Sequence, residues 1–339
     1  MMEFKENYSL KNLNTFGINA YCRYFSEFDN TENLKNALEH QLSKNNKKLI
    51  LGGGSNILFT KDFDGVVLKN NISGIEKIKE DENHVYIKAG AGVNWHSFVQ
   101  YCIENNLAGV ENLSLIPGNV GASPMQNIGA YGVEVKDVIE SVHGIFTEDL
   151  KEFSLSNTDC NFAYRESIFK HELKNKAIIT HVIYRLNKTP KFNTSYGAIE
   201  QELDKMGIKD LSIKAISDAV CNIRKSKLPN PSEIGNAGSF FKNPTVDKTT
   251  FEKLKNNFVD IPNYPQADGN IKLAAGWLIE QCGWKGFRND DYGVHKLQAL
   301  VLVNYGNAKG GDIYRLSEDI LKSVIEKFGV TLEREVNII

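Results

Sequence analysis

The chain has 339 residues, a length typical of two or three domains, with 41% hydrophobic and 24% charged residues, as in ordinary globular proteins. Because 40 Lys and Arg residues nearly balance 42 Asp and Glu residues, there is no basic excess that would indicate a nucleic-acid binder. No apolar run approaches the roughly 18 residues of a membrane span, and the first residues do not resemble a signal peptide. The five cysteines are widely spaced and form no CxxC motif, which favours reduced thiols in the cytoplasm over disulfides or a zinc site.

The first half of the chain predicts strands and helices around one long irregular segment. Thr31 is the expected N-cap of the first helix, because Leu34, Leu38 and Leu42 then recur on one face. In chain order we predict a helix over 31–45, strands over 48–51, 66–69 and 85–89, a helix over 94–106, an irregular segment over 109–132, and strands over 137–146 and 177–186.

The second half is richer in helices. The pattern breaks over 189–194, and a segment rich in Pro, Asn and Gly over 228–238 predicts a linker. In chain order we predict helices over 199–206, 212–225, 247–257, 273–282 and 311–328, with strands over 300–304 and 331–339. The last strand would place Leu332, Arg334, Val336 and Ile338 on one face. Since strands and helices do not alternate strictly, the class is α+β and a simple doubly wound parallel sheet is excluded.

Two glycine-rich loops are candidate cofactor sites. Residues 49–56, LILGGGSN, form a strand that ends in three glycines, whose N–H groups can form a concave site for a pyrophosphate. The loop is neither a Rossmann GxGxxG motif nor a Walker loop, and a tight hairpin turn is the alternative. Residues 115–132 pack four glycines into one segment with interleaved apolar side chains. An ordered loop of this length favours a large polar ligand, and a connection between domains is the alternative.

These loops resemble the FAD-binding region of the UDP-N-acetylenolpyruvoylglucosamine reductase family, on the segments LGGGSNILF and IPGNVGASPMQNIGAYG. Further segments agree with the family in the same order along essentially the whole chain: NTFG from Asn14, YRESIF from Tyr164, IRKSKLP from Ile223, NAGSFFKNP from Asn236, NYPQ from Asn263, KLAAGWLI from Lys272, HKLQALVLV from His295 and LEREV from Leu332. The segment at Tyr264 resembles the longer subtype, which carries a tyrosine loop over the substrate site. One departure is Arg334, where the family often has proline, and the chain ends four residues after Glu335.

The resemblance implies an α+β FAD-binding fold of the vanillyl-alcohol oxidase, or PCMH, type. It would consist of two FAD-binding subdomains over 1–67, completed by 329–339, and over 68–225, with the PCMH-type region at about 17–188, followed by an α+β substrate-binding domain over 226–328. It also implies three catalytic residues, namely Arg165 and Glu335 beside the enolpyruvyl carboxylate and Ser239 as the proton donor. The implied FAD contacts are Gly52, Gly53, Gly54, Ser55, Asn56, Pro117, Gly118, Gly121, Ala122, Gln126, Asn127, Ile128, Gly129, Ala130, Tyr131 and Gly132. The implied substrate contacts are Tyr196, Lys227, Asn243, Tyr264, Lys272 and Gln298.

The residue types suit the implied chemistry. Reduction of an enol ether next to a carboxylate develops negative charge on that carboxylate, and an arginine fork such as Arg165 binds it in two places. A serine is a weak acid, so Ser239 needs nearby positive charge or a strongly basic carbanion to protonate. Glu335 would be a hydrogen-bonding partner, protonated if burial raises its pKa. Each residue also has a purely structural alternative. Arg165 could form a surface ion pair with Glu166, Ser239 could be a turn residue beside Gly238, and Glu335 could be a solvated residue on a strand.

The function implied is NADPH-dependent reduction of UDP-N-acetylglucosamine enolpyruvate to UDP-N-acetylmuramate, a step of peptidoglycan precursor synthesis and hence of cell-wall biogenesis, cell shape and division. Hydride requires a cofactor, since no side chain donates one. FAD would be bound non-covalently, and NADPH would reduce it at the same site in the first of two half-reactions, which is consistent with the absence of a separate dinucleotide motif for NADPH. We expect a cytoplasmic monomer with no metal site and no nucleic-acid or membrane partner. The alternatives are another FAD oxidoreductase of the same fold acting on a non-nucleotide alcohol, and a non-catalytic flavin or UDP-sugar binding protein.

Overall fold

The computed structural model describes residues 3–339 and divides into two compact units. Unit 1 contains the described residues up to Tyr8, Cys22–Gly53 and Asp64–Ser226. Unit 2 contains Ser9–Tyr21, Gly54–Phe63 and Lys227–Ile339. The three-domain division expected from the sequence stays a prediction.

Eight α-helices occur in the described residues: α1 Thr31–Glu39, α2 Gln41–Asn45, α3 Trp95–Glu104, α4 Gly197–Lys205, α5 Ile213–Lys227, α6 Lys248–Asn257, α7 Ala275–Gln281 and α8 Gly310–Phe328. The strands of the first half are β1 Lys5–Ser9, β2 Tyr21–Phe28, β3 Lys48–Leu51, β4 Ile57–Leu58, β5 Phe63–Asn70, β6 Ile75–Glu80, β7 His84–Gly90, β8 Gly129–Ala130, β9 Val133–Glu134, β10 Ile139–Phe146 and β11 Glu152–Ser156. Those of the second half are β12 Ala177–Asn187, β13 Gly235–Ser239, β14 Thr245–Val246, β15 Asn263–Pro265, β16 Ile271–Leu273, β17 Arg288–Asn289, β18 Tyr292–Val294, β19 Val301–Asn304 and β20 Asn337–Ile338. None of the helices described in 3–339 has both the length and the apolar character needed to cross a bilayer.

Unit 1 is built on two sheets. One has the strand order β1-β2-β5-β3, with β3 and β5 parallel, and the other is an antiparallel sheet of order β11-β10-β12-β7-β6. The helix α3 packs on the second sheet through Trp95, Phe98 and Cys102, all of them fully buried. Trp95 also donates its indole N–H to the carbonyl of Leu113 at 2.8 Å, which attaches the start of the irregular segment to this core.

Unit 2 is built from short sheets of order β13-β19-β18-β17 and β14-β16-β15. A third, parallel pair joins β20 to β4, with Asn337 opposite Ile57 and Ile338 opposite Leu58. The long helix α8 ends at Gly329, whose φ of +67° is the left-handed conformation that glycine adopts at helix C-termini.

The α+β class is confirmed by the mixed strands and helices, and several boundaries are corrected. The helix predicted over 31–45 is two helices, because His40 is extended at ψ 139°. The N-cap is Asn30 rather than Thr31, since the Asn30 side chain accepts from the N–H of Asn33 at 2.8 Å. The chain resumes helical geometry at Gln41, where the His40 ring accepts the N–H of Leu42.

Three other predicted elements differ because distant pairing overrides local pattern. The linker predicted over 228–238 contains most of β13, which pairs with β19. The helix predicted over 273–282 is preceded by β16 and begins only at Ala275. The strand predicted over 331–339 is reduced to β20 and one isolated pair, Phe241 with Arg334, although Leu332 and Val336, which were predicted to share a face, are both buried.

Candidate active site

The two glycine-rich loops touch each other within unit 1. A Cβ atom on Gly53 would lie 2.9 Å from the Cα of Gly118 and 3.0 Å from the Oδ1 of Asn119. Real Cβ atoms do not approach other atoms this closely, so only glycine permits the contact. Two segments that were predicted separately as flavin contacts therefore form one surface.

The start of the second loop is fastened to the residues after β7. The N–H groups of Val120 and Gly121 donate to the carbonyls of Val93 and Ala91 at 2.8 and 2.9 Å, and the Asn119 side chain donates to the carbonyl of Gly92 at 3.0 Å. Within residues 3–339, no hydrogen bond to another residue is donated by the backbone N–H groups of Gly53, Gly118 and Asn119.

Free N–H groups on one glycine-lined surface are the donor set that a pyrophosphate requires. The residues present therefore fit the diphosphate of a flavin dinucleotide.

Exposure varies along the predicted flavin contacts. Gly54, Asn127 and Ile128 are buried, Pro117 and Gly132 are exposed, and the others are half-buried: Gly52, Gly53, Ser55, Asn56, Gly118, Gly121, Ala122, Gln126, Gly129, Ala130 and Tyr131. Asn127 has no exposed surface, and its side chain donates to Glu134 Oε2 and to the carbonyl of Ala163, both at 3.0 Å. Its side chain thus braces the loop.

Arg165 lies at the tip of a tight turn. Ala163 and Glu166 exchange two backbone hydrogen bonds of 3.1 Å, and Arg165 between them has a φ of +57°, a left-handed conformation that is uncommon for a residue with a side chain. Ser167 fastens this turn to the second loop by donating to the carbonyl of Met125 at 2.5 Å.

The guanidinium of Arg165 lies against the same loop. Its Nη2 donates to the carbonyl of Gly129 at 2.6 Å and its Nη1 lies 3.4 Å from the carbonyl of Asn127. The neighbouring Glu166 pairs with Lys170 at 3.0 Å and with His171 at 2.8 Å. An uncommon backbone conformation that is held by surrounding hydrogen bonds, as at Arg165, is typical of functional sites.

The far end of the loop meets the segment before α4. Tyr196, which is 49% exposed, stands edge-on to the ring of Tyr131 with ring centroids 5.5 Å apart. The charge of Arg224 on α5 acts on the phenol of Tyr131, and the Arg224 Nε donates to the carbonyl of Leu115 at 3.2 Å. Burial lowers the pKa of Arg224 and raises that of Tyr131.

In unit 2, the rest of the first glycine loop joins the C-terminal segment. Gly54 has a φ of +64°, and a Cβ atom there would lie 1.9 Å from the carbonyl oxygen of Leu13, so only glycine fits. The Asn56 side chain donates to the carbonyl of Glu335 at 3.1 Å, and the N–H of Asn337 donates to the carbonyl of Asn56, also at 3.1 Å. The backbone on both sides of Val336 is thereby held by Asn56.

Ser239 and Glu335 lie on neighbouring backbone segments. Ser239 ends β13 and is exposed, with Val301 of β19 as its strand partner. The next residue, Phe240, accepts the N–H of Glu335 at 2.9 Å, and the N–H of Lys242 donates to the carbonyl of Glu333 at 2.8 Å. Glu335 is half-buried, so a carboxyl group and a hydroxyl are carried within a few residues of one another.

The predicted substrate contacts of unit 2 gather near β16 and α7. Tyr264 is paired directly with Lys272, which places their side chains on one face of the small sheet. Asn243 accepts the first N–H of α7, from Ala275, at 3.0 Å, and Gln298 accepts the N–H of Leu300 at 3.3 Å. Lys227 is exposed at the end of α5, and Tyr196 belongs to unit 1, as does Arg165.

Sequence reasoning missed several residues that support these loops. Ser167 and Arg224 stand inside motifs that were recognised, YRES and IRKS, yet neither was singled out. The sequence predicts only that Lys69 ends a strand, whereas in the structure its side chain donates to the carbonyl of Gly52. No metal-binding group of three or more His, Cys, Asp or Glu side chains is found in the described part of the chain.

Comparison with known proteins decides the family. Residues 23–148 match the model of the FAD binding domain, and residues 230–339 match that of the UDP-N-acetylenolpyruvoylglucosamine reductase C-terminal domain. A UDP-N-acetylenolpyruvoylglucosamine reductase from Amoebophilus asiaticus is 55% identical over the full length of both chains. The chain belongs to the UDP-N-acetylenolpyruvoylglucosamine reductase family.

Other members of the reductase family agree over the same length. The relative from Flavobacterium johnsoniae is 52% identical over all of both chains, and that from Pseudomonas putida is 46% identical over 99% of each. The crystal structure of the Thermus caldophilus reductase has a TM-score of 0.67 at 24% identity, covering 100% of this chain and 98% of that one, which shows the shared fold. The recognised family and the α+β FAD-binding fold are therefore confirmed, and the protein is an FAD-dependent oxidoreductase.

Proposed function

We propose that this protein reduces the enolpyruvyl ether of UDP-N-acetylglucosamine to the lactyl ether, giving UDP-N-acetylmuramate for peptidoglycan precursor synthesis. The observation that carries the proposal is the 55% identity, over the full length of both chains, to a relative named for this reduction. NADPH is the proposed source of the hydride, and a monomer in the cytoplasm is the proposed form of the enzyme.

When bound, FAD supplies hydride chemistry that no side chain can provide. The diphosphate of the cofactor would accept hydrogen bonds from the free N–H groups of Gly53, Gly118 and Asn119. The glycines of both loops exclude side chains from this surface, so the backbone can approach the phosphates closely.

Arg165 is proposed to bind the enolpyruvyl carboxylate. Negative charge grows on that carboxylate once hydride reaches the methylene carbon, so a fixed guanidinium stabilises the transition state more than the ground state. The hydrogen bonds from Arg165 to the carbonyls of Gly129 and Asn127 orient the side chain before substrate arrives. Pre-orientation lowers the entropic cost of forming the contact.

Ser239 is proposed to deliver the proton to the neighbouring carbon. Its place on β13, one residue before the pairing of Phe240 with Glu335, brings a carboxyl group to the same region of unit 2. Glu335 is the proposed hydrogen-bonding partner of the substrate carboxylate or of the proton donor. The UDP-sugar is proposed to be bound by two lysines through charge and by two tyrosines through stacking, together with two amide side chains. These residues are Lys227, Lys272, Tyr196, Tyr264, Asn243 and Gln298.

Purified protein incubated with NADPH and UDP-N-acetylglucosamine enolpyruvate tests the proposal. We expect NADPH to be consumed in proportion to sugar reduced, with a yellow protein that bleaches on NADPH and regains colour on adding the sugar. A yellow protein that never consumes NADPH would contradict the proposal. Rapid reoxidation by air with a non-nucleotide alcohol as substrate would instead identify a different flavin oxidoreductase.

A further inference from the structure

Lys69 lies directly behind the first glycine loop. It stands on β5 opposite Leu51, the last residue of β3, and its Nζ donates to the carbonyl oxygen of Gly52. The side chain is partly buried, and this burial lowers the pKa of Lys69 while the charge of Glu27 opposes the change. An ammonium group loses hydration when it is buried, so its position here has an energetic cost that a purely apolar side chain would avoid.

The contact fixes the orientation of one peptide group. The carbonyl of Gly52 and the N–H of Gly53 belong to the same peptide, and in a trans peptide these two groups point in opposite directions. No cis peptide bond occurs in the described residues. When Lys69 holds the carbonyl from behind, the N–H of Gly53 must point away from Lys69.

That N–H donates to no other residue of the described chain and lies where Gly53 packs on Gly118 and Asn119. A cation at the carbonyl also polarises the peptide, which makes its N–H a stronger donor, because hydrogen bonds in a chain reinforce one another. Glycine has the least restricted backbone of any residue, so without such a support the peptide between two glycines would sample several orientations.

We propose that Lys69 is a positioning residue for the cofactor diphosphate: it locks and polarises the Gly52–Gly53 peptide so that the Gly53 N–H points at a phosphate oxygen. The positive charge behind the loop also attracts the anion through one peptide group, over a distance at which a partly buried charge is only weakly screened. The inference concerns FAD binding alone and does not depend on the proposed sugar substrate or on NADPH.

The test is the dissociation constant for FAD of the full-length apoprotein, measured by quenching of flavin fluorescence, for wild type, Lys69→Met and Lys69→Arg. Lys48→Met is the matched control, because Lys48 lies on β3 and also donates to a backbone carbonyl, that of Ser43 at 2.8 Å, but at the other end of the strand. Lys69→Met should raise the dissociation constant for FAD roughly tenfold, because it would weaken the charge-assisted hydrogen bond from the Gly53 N–H to the phosphate by about the value of one such bond. Lys69→Arg keeps the cation and should stay within about threefold of wild type, and Lys48→Met within about twofold.

Rescue by arginine separates positioning from a merely structural role. If Lys69→Met leaves the dissociation constant unchanged, or if Lys69→Arg binds FAD as weakly as Lys69→Met, the inference is wrong. Should circular dichroism show that Lys69→Met does not fold, Lys69→Gln replaces it with the same expected weakening and the same contradicting outcome. Since neither NADPH nor sugar is present, failure here leaves the proposed reaction standing, and failure of the reaction leaves this binding result standing.

Discussion

The backbone N–H of Glu335 donates a hydrogen bond of 2.9 Å to the carbonyl of Phe240, the residue that follows Ser239. Residues far apart in the sequence are thus paired at the position where a proton donor and an acid are proposed. The isolated pair of Phe241 with Arg334 continues the same register. Arg334, the departure from the family pattern, hydrogen-bonds Ser317 and pairs with Glu318, so its side chain is engaged on α8.

Ser239→Ala should separate the two half-reactions. Without the hydroxyl, the protein should still bind FAD and oxidise NADPH, because the serine is proposed to act only on the sugar. Turnover of the sugar should fall by about a hundredfold or more, the usual loss when a positioned acid is removed. Stopped-flow absorbance of the flavin measures each half-reaction, with Ser232→Ala, an exposed serine of the same unit, as the control. Equal loss of both half-reactions would assign Ser239 a different role.

Arg165→Lys should lower kcat/KM for the sugar by about a hundredfold, because lysine retains the charge but not the two-point geometry. The steady-state rate over a range of sugar concentrations gives this value. Arg185→Lys is the matched control, since Arg185 lies on β12 with half of its side chain exposed, 3.9 Å from Glu140. Comparable activity of the Arg165 and Arg185 variants would show that Arg165 does not bind the substrate carboxylate.

Gly53→Ala should weaken FAD binding by about tenfold or more. A methyl group there would collide with the backbone of Gly118 at 2.9 Å, and separating the two loops has the cost of overpacking a close contact. The FAD dissociation constant is the measurement. Gly197→Ala is the control, because a Cβ atom at the start of α4 meets nothing within 4 Å. Unchanged FAD affinity in Gly53→Ala would show that the contact does not shape the site.

Stability should fall on acidification because of His181. Its ring stacks on His143 with centroids 4.4 Å apart, and burial, together with His143 and Lys88, lowers the pKa of His181 from 6.5 to about 4. The unfolded chain therefore binds the proton more readily than the folded one. The stability associated with the neutral His181 ring is fully present above pH 6.5 and is lost as the pH falls towards 4.

Urea unfolding at pH 7 and pH 5 measures this linkage in the wild type and in His181→Gln. After allowance for solvent screening of a half-buried ring, the wild type should lose about 1 kcal/mol more stability than the variant between the two pH values. Between pH 7 and pH 8 the two proteins should change in parallel, which is the internal control. Identical losses from pH 7 to pH 5 would show that His181 does not titrate as argued.

The local sequence pattern was sufficient to predict those elements whose formation depends only on their own residues. The helix α8 matches the prediction to within one residue, and α6 begins one residue later than predicted because Asp247 is its N-cap. The glycine loops were recognised because glycine spacing and sequence motifs are local properties. Their mutual contact was not, since it depends on how two strands end in space.

Distant pairing accounts for most of what the sequence could not predict. Residues of β13 have a linker composition, and they form a strand only because Val301 and Val303 of β19 supply partners. The role of Lys69 follows from the direction of one side chain at a strand end, which no periodicity encodes. Likewise, the positive φ of Arg165 reflects the hydrogen bonds of its turn rather than a residue preference.

Unit 2 is assembled from three separate stretches of the chain, whereas the antiparallel sheet of unit 1 contains hairpins between neighbouring strands. Contacts between remote residues form slowly, because a long loop must close before they are made. On the ribosome, the segment that follows the first glycine loop must wait for Asn337–Ile338 to emerge before β4 can find its partner. The hairpins of unit 1 can therefore form early in synthesis, and the proposed acid and proton donor can meet only after Glu335 has emerged.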